Sequence, residues 1–170
     1  MQTQTLPPKI LSRELREEAG GDLARRRWTI GLSFAGSTIG MVVGAYQTGI
    51  LKRLPDILPG RIFDAEKVDA SDYAYKRMQT PDGLLMAVTY GVTAALAGAG
   101  GKDRARQNPA LPIAAAAKAC YDLATALKLG REEWQDNKAL CSWCQLATLI
   151  SAAAVALTLP EAVRAARQIA

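Results

Sequence analysis

Hydrophobic and polar positions in this chain come in long blocks rather than with the two-residue period of a strand or the one-sided stripe of a surface helix. Charge-free runs occupy residues 28–51, 83–101 and 139–160. Each is close to or above the roughly 18–20 apolar residues that a bilayer-crossing helix needs. A surface helix of a soluble bundle carries a charged face, and these three runs carry no charge at all, which weighs against the competing reading of a soluble Ala-rich bundle. A fourth stretch, residues 109–130, has the same length but contains Lys118, Asp122 and Lys128. Lys118 and Asp122 stand one helical turn apart, so they can pair on one face and point into a bundle. An unpaired charge at mid-bilayer would cost about 2.5–3.5 kcal/mol on insertion scales. The pattern therefore predicts an all-α, integral membrane four-helix bundle. Its spans are about 28–51, 83–101, 109–130 and 139–160, between a basic tail at 1–27 and a second tail at 161–170, with residues 52–82 as a capping loop.

The runs are rich in Ala and Gly, so each is a weak insertion signal alone and is expected to insert as part of a bundle. Gly36, Gly40 and Gly44 recur every four residues in the first run, and Ala87, Gly91 and Ala95 do so in the second. Small residues at that spacing let helix backbones approach closely in lipid. In the loop, LPDILPG at 54–60 has two prolines that restrict the backbone, which predicts an ordered, non-helical strap. Thr80, Pro81 and Asp82 form an abrupt helix start.

Composition changes this picture little, because polar loops dilute a hydropathy whose mean is +0.01. Charge adds an orientation. Four spans put both termini on one side. That side holds eleven Lys and Arg, including the triplet Arg25, Arg26 and Arg27 beside the first span, against eight on the other. The positive-inside rule makes the termini cytoplasmic. Residues 12–27 read as a short cytoplasmic helix or a frayed arm without the apolar core of a cleavable leader. The basic tail suits anionic lipid headgroups. With the net charge of +5 accounted for by topology, no nucleic-acid partner is expected. Trp134 and Trp143 at one boundary and Trp28 at the other read as interfacial anchors.

Candidate chemistry lies in the cysteines. Cys141 and Cys144 open the last run as a CxxC, on the side away from the termini. A helix N-terminus presents free N–H groups and the positive end of its dipole, which favour thiolate. Such a pair can cycle between dithiol and disulfide, and beside a bilayer its natural electron partner is a lipid-soluble quinone. Three duller readings stay open. The sulfurs could serve as small apolar groups, or as a static staple, although so short a ring stabilises little. A structural zinc needs four ligands, and with no His and no second CxxC no metal is expected. Cys120, midway along the third span, is expected to pack. Asp122 lies about two turns, roughly 12 Å, from the expected end of its helix at residue 130, a depth suited to a buried headgroup.

Together these marks resemble the vitamin K epoxide reductase family of membrane thiol oxidoreductases. The CxxC opening the last of four spans is one mark. The loop sequence AEKVDASDYA places Val68, Ser71, Tyr73 and Ala74 as the family's first loop does, and TPDGLLMAVTY places Pro81 and Tyr90 at the family's spacing. The resemblance covers about residues 28–160. It implies a bundle around a quinone, ubiquinone or menaquinone, in a bacterial inner membrane. In that reading Cys144 exchanges electrons with the quinone and Cys141 with an incoming thiol, such as that of a thioredoxin-like protein. Ser71, Tyr73 and Pro81 would shape the cap, and Ser71, Tyr73, Tyr90 and Thr148, joined by Asp122 at its depth in the bundle, would make up the cofactor site. Two departures stand out. Ala65 replaces the loop's relay cysteine, and Thr148 stands where vertebrate-type members place a Tyr. A catalytically reduced scaffold, or an accessory subunit of a larger respiratory or photosynthetic membrane complex, is the alternative the resemblance leaves open.

Overall fold

A computed structural model describes residues 6–169. The chain is helical, with no strand among the described residues. The elements are α1 (Pro8–Glu17), α2 (Gly21–Gln47), α3 (Ala65–Asp69), a 3₁₀ turn (Asp72–Tyr75), α4 (Asp82–Gly98), α5 (Arg104–Gln107), α6 (Ala110–Asn137) and α7 (Ser142–Ala166). Four of these, α2, α4, α6 and α7, form the bundle, with α2 along α4 and α6 along α7.

The distribution of polarity identifies the solvent. Phe34, Met41, Val88, Leu127 and Leu149 are exposed, whereas Thr29, Ser33, Thr93, Asp122, Ser151 and Glu161 are buried. Apolar outside and polar inside is the arrangement a bilayer demands, since buried polar groups must find partners within the protein. Helices α2, α6 and α7 are long and apolar enough to cross a membrane, and α4 is apolar but shorter. The fold is an all-α membrane bundle.

The small-residue stripe works as close contact between α2 and α4. A Cβ at Gly40 would stand 2.6 Å from the Ala87 backbone nitrogen and 2.7 Å from the Gly83 carbonyl oxygen. Only glycine permits that approach.

At the end carrying the termini, the problem is the C-terminus of α4, whose last carbonyls lack helical partners. Arg26, inside α2, fills that need from a buried position. Its guanidinium donates to the carbonyls of Ala97 (2.8 Å), Gly98 (3.3 Å), Ala99 (3.0 Å), Gly100 (2.8 Å) and Gly101 (3.0 Å). Arg104 donates to the Leu96 and Ala99 carbonyls and pairs with Glu161 on α7 at 2.7 Å. The arm before the bundle is α1, a break at Glu18–Gly20, and then a helix that already contains Arg25–Arg27.

At the other end, residues 48–81 fold over the bundle as a cap. Residues 52–62 are non-helical. The strap is pinned to α7 by Asp56, whose Oδ1 accepts from the Ser142 amide (3.1 Å) and hydroxyl (2.6 Å). Its Oδ2 accepts from the Ala65 amide at 2.9 Å. The Trp143 indole N–H donates to the Pro55 carbonyl at 3.0 Å, so this tryptophan ties down the strap. Phe63 and Leu140 meet in an isolated β-bridge.

Two sequence expectations need correction. Helix α6 does not stop near Gly130; it runs to Asn137 and ends where Lys138 turns left-handed at φ 52°. Asp122 therefore lies roughly 22 Å from that end at 1.5 Å per residue. Cys120 is exposed rather than packed, because Ala115, Ala116 and Ala119 form the inward face of α6 and the next position points outward.

Candidate active site under the cap

Cys141 is the N-cap of α7. Its Sγ accepts a hydrogen bond from the Cys144 amide at 3.3 Å, and its own amide donates to Glu133 Oε2 on α6 at 3.3 Å. The neighbouring Asp56–Ser142 bonds hold the first turn of α7 in place. Cys141 is fully buried among Leu54, Ala65, Val68 and Tyr73, whereas Cys144 is half-buried. Neither sulfur is in a disulfide.

Asp69, the last residue of α3, reaches this pair from the cap. One of its carboxylate oxygens and the two Sγ atoms all lie within 4.8 Å of one another. Asp69 is 1% exposed. Its Oδ1 accepts from the Gln47 side-chain Nε2 at 3.4 Å, while Oδ2 has no hydrogen-bond partner among the described residues. Burial pushes the Asp69 carboxyl up to about 7, against a smaller opposing effect of the Cys141 thiol, with Asp82 and Asp56 adding to the rise. Gln47 is shared: it also donates to Asp82 Oδ1 (2.7 Å) and accepts from the Gly83 amide (3.0 Å). Asp82 in turn faces Arg77, which pairs with Glu132 at 3.1 Å. Two thiols and a carboxylate this close are also a mixed soft and hard set of metal donors, but they are three where a structural zinc centre takes four protein ligands.

Below the pair opens a cavity of about 280 Å³ whose wall includes Leu85, Met86, Tyr90, Leu129, Cys144 and Ala147. That is near the lower end of the roughly 300–1,000 Å³ typical of small-molecule sites. Of the residues expected to hold a cofactor, Tyr90, Asp122 and Thr148 line it. Their polar groups have partners already. The Tyr90 hydroxyl bonds the Ala147 carbonyl (2.5 Å) and Ser151 (2.9 Å), and Thr148 donates to the Cys144 carbonyl (2.9 Å). Asp122 pairs with Lys118 at 2.6 Å and accepts from Thr89 and Thr93.

Ser71 and Tyr73 do not line the cavity. Ser71 donates to the Val68 carbonyl at 2.6 Å, closing α3. Tyr73 is buried with its hydroxyl on the Leu129 carbonyl at 2.8 Å, and its ring lies 4.9 Å from the Arg77 guanidinium. Burial pushes its phenol well up, so it stays protonated. Arg77 and Glu133 line the cavity instead, and Asp69 stands behind Cys144. The sequence held faint signals of all three. Asp69 is an acid inside the loop segment AEKVDASDYA, and Arg77 and Glu133 flank the cap and the CxxC.

An all-α membrane bundle with two cysteines at the start of one helix, under a capping loop and beside a largely apolar cavity, has the form of a membrane oxidoreductase scaffold. Residues 27–159 match the vitamin K epoxide reductase family, and the chain belongs to that family. No curated protein and no solved structure matches it significantly.

Proposed function

We propose that this chain is a membrane thiol–disulfide oxidoreductase coupling the Cys141–Cys144 pair to a lipid quinone. The observation that carries this reading is the division of the pair across the site: Cys144 lines the cavity, and Cys141 lies behind it under the cap. The residues present fit a flat apolar ring with polar edges. Leu85, Met86, Ala126 and Leu129 supply walls, and Tyr121, Thr125 and Arg77 supply donors. Tyr90, Asp122 and Thr148, with their polar groups already bonded, shape the wall. A bound quinone supplies a two-electron, two-proton acceptor. The first turn of α7 holds the two sulfurs in reach of each other, so that forming their bond needs little rearrangement.

Exchange with an outside thiol has to reach Cys141, which is covered by the strap through Asp56–Ser142 and Pro55–Trp143. The loop has no cysteine to relay the exchange, so opening of the cap exposes Cys141 to a thioredoxin-like protein or a small thiol directly. The charge bias supports cytoplasmic termini and a cap on the far side of a bacterial inner membrane. The rival reading, a scaffold or accessory subunit, is favoured by the cysteine-free loop and the burial of Cys141. Purified protein in detergent, given a short-chain quinone and a dithiol donor, separates the two. Wild type should reduce the quinone, and Cys144→Ala and Cys141→Ala should not; equal rates in all three would establish the scaffold.

A further inference from the structure

We infer that Asp69 is the proton acceptor for the Cys141–Cys144 dithiol, taking the Cys141 proton as the disulfide forms. This rests on the redox reading of the pair, but its geometry is independent of any quinone.

Forming the disulfide breaks two S–H bonds and makes one S–S bond. Two electrons and two protons must leave. With a quinone-class acceptor beside Cys144, the acceptor takes both electrons and the Cys144 proton directly, and its second proton is the one that leaves Cys141, held on Asp69 until it is passed on. That second proton starts on a fully buried sulfur, where no solvent can take it. A carboxylate oxygen of Asp69 lies within 4.8 Å of both sulfurs. Asp69 is buried with Oδ2 unpartnered among the described residues, and Gln47 holds the other oxygen. A buried acceptor oxygen without a donor is costly unless it carries or receives a proton. The site thus has one proton position waiting and one proton to move.

Charge balance supports the same assignment. The groups facing Asp69 are the two thiols on α7, Glu133 on α6, Asp82 at the start of α4, Asp56 in the strap and the Tyr46 hydroxyl on α2. Three of them are carboxylic acids and none is a cation, so the pocket resists gaining a further negative charge. Moving a proton from Cys141 to Asp69 relocates the charge without adding to it. Asp69 is poised near neutral pH, at about 7, where a general base works best.

The test uses full-length protein in detergent, and a small oxidising disulfide, 4,4′-dithiodipyridine, so that no quinone is needed. One thiol of the pair displaces a thiopyridone and the other resolves the mixed disulfide, releasing a second. Wild type should react with a limb rising through pH about 7. Asp69→Asn should lose that limb and slow about 100-fold at pH 8, within the range general bases contribute. Infrared difference spectra of wild type before and after oxidation supply a readout that needs no variant. A protonated-carboxyl band should change on oxidation, and a folded Asp69→Asn should lack it. An unchanged pH profile in a folded Asn variant, or a carboxyl band indifferent to oxidation, overturns the inference. If both signatures appear while quinone reduction is absent, the quinone reading fails and the role of Asp69 stands.

Discussion

Gly36 lies directly beneath the ring of Tyr90: a Cβ added at Gly36 would stand 2.6 Å from Tyr90 Cζ. The ring is fixed from above as well, since its hydroxyl bonds Ala147 and Ser151 on α7. One missing methyl group on α2 thus sets the position of a cavity wall on α4 and ties three helices together.

Gly36→Ala should therefore act on the site as well as on packing. Overpacking typically costs about 1–3 kcal/mol, and here relief requires the Tyr90 ring to move and its bonds to α7 to stretch. The expected result is a lower melting temperature in detergent, reversed in part by Tyr90→Leu in the same chain. If Gly36→Ala melts with wild type, the ring is not held where the structure puts it.

Asp69→Asn should change how stability depends on pH. The folded-state carboxyl is raised to about 7 from an ordinary 3.8, so the folded protein holds a proton that the unfolded chain releases. The contribution from this group is full below pH about 4 and is lost as pH rises through about 7. Each pH unit separating the folded and unfolded values corresponds to about 1.4 kcal/mol, so the Asn variant should gain on wild type by a few kcal/mol between pH 4 and 8. Denaturation curves at the two pH values measure the difference. A gap that does not widen would mean that Asp69 is solvated.

What could be read from sequence was whatever depends on local spacing. The i,i+4 pair Lys118–Asp122, the glycine rhythm of α2, the proline strap and a CxxC at a helix start are all short-range statements. What escaped were contacts fixed by tertiary packing. Asp69 meets Cys141 only because the cap folds back over α7. Gly130 reads as a stop, yet α6 continues because its face packs on α7, with Gly130 against the Gln145 side chain; that extension carries Glu133 to the dithiol. Ser71 and Tyr73 look like ligand-binding groups in a loop, but their hydroxyls are drawn to the carbonyls of Val68 and Leu129.

Asp56→Ala should open the strap. Three hydrogen bonds to its carboxylate join the loop to α7 and α3, each worth about 1 kcal/mol net. Cys141 labelling by a maleimide, followed by mass spectrometry, should speed up at least about tenfold, the factor that about 1.4 kcal/mol represents. Labelling of exposed Cys120 should not change. Equal Cys141 rates would show that the cap opens elsewhere.

Lys118→Met should destabilise the bundle by about 3–5 kcal/mol, because it leaves Asp122 as an uncompensated buried charge. Adding Asp122→Asn should recover most of that loss, since the two residues form one unit with Thr89 and Thr93. A double-mutant cycle on melting in detergent gives the coupling. Additive losses would mean that the pair is hydrated in the membrane.

Arg26→Lys tests whether one guanidinium holds the end of α4. Arginine presents five N–H donors in a fixed fork, and an ammonium is a point with three. Here the fork meets five successive carbonyls, from Ala97 to Gly101, at and just beyond the end of α4. Arg104 also donates to those of Ala97 and Ala99 from its side chain and to that of Gly101 from its backbone amide, so the loss should fall hardest on Gly98 and Gly100. Lysine keeps the charge but satisfies fewer of them, and a buried unsatisfied carbonyl costs about 1–3 kcal/mol. The loss should be local as well as global. Hydrogen exchange should quicken at the amides of the last turn of α4, while the amides beside Cys141 keep their wild-type protection. Arg26→Met removes charge and donors together and should unfold the same end further, since the Arg104 side chain reaches only the Leu96, Ala97 and Ala99 carbonyls and its other donors go to Glu161. Wild-type exchange at that turn in Arg26→Lys would show that the carbonyls find other partners, and the fork would then be incidental to the fold.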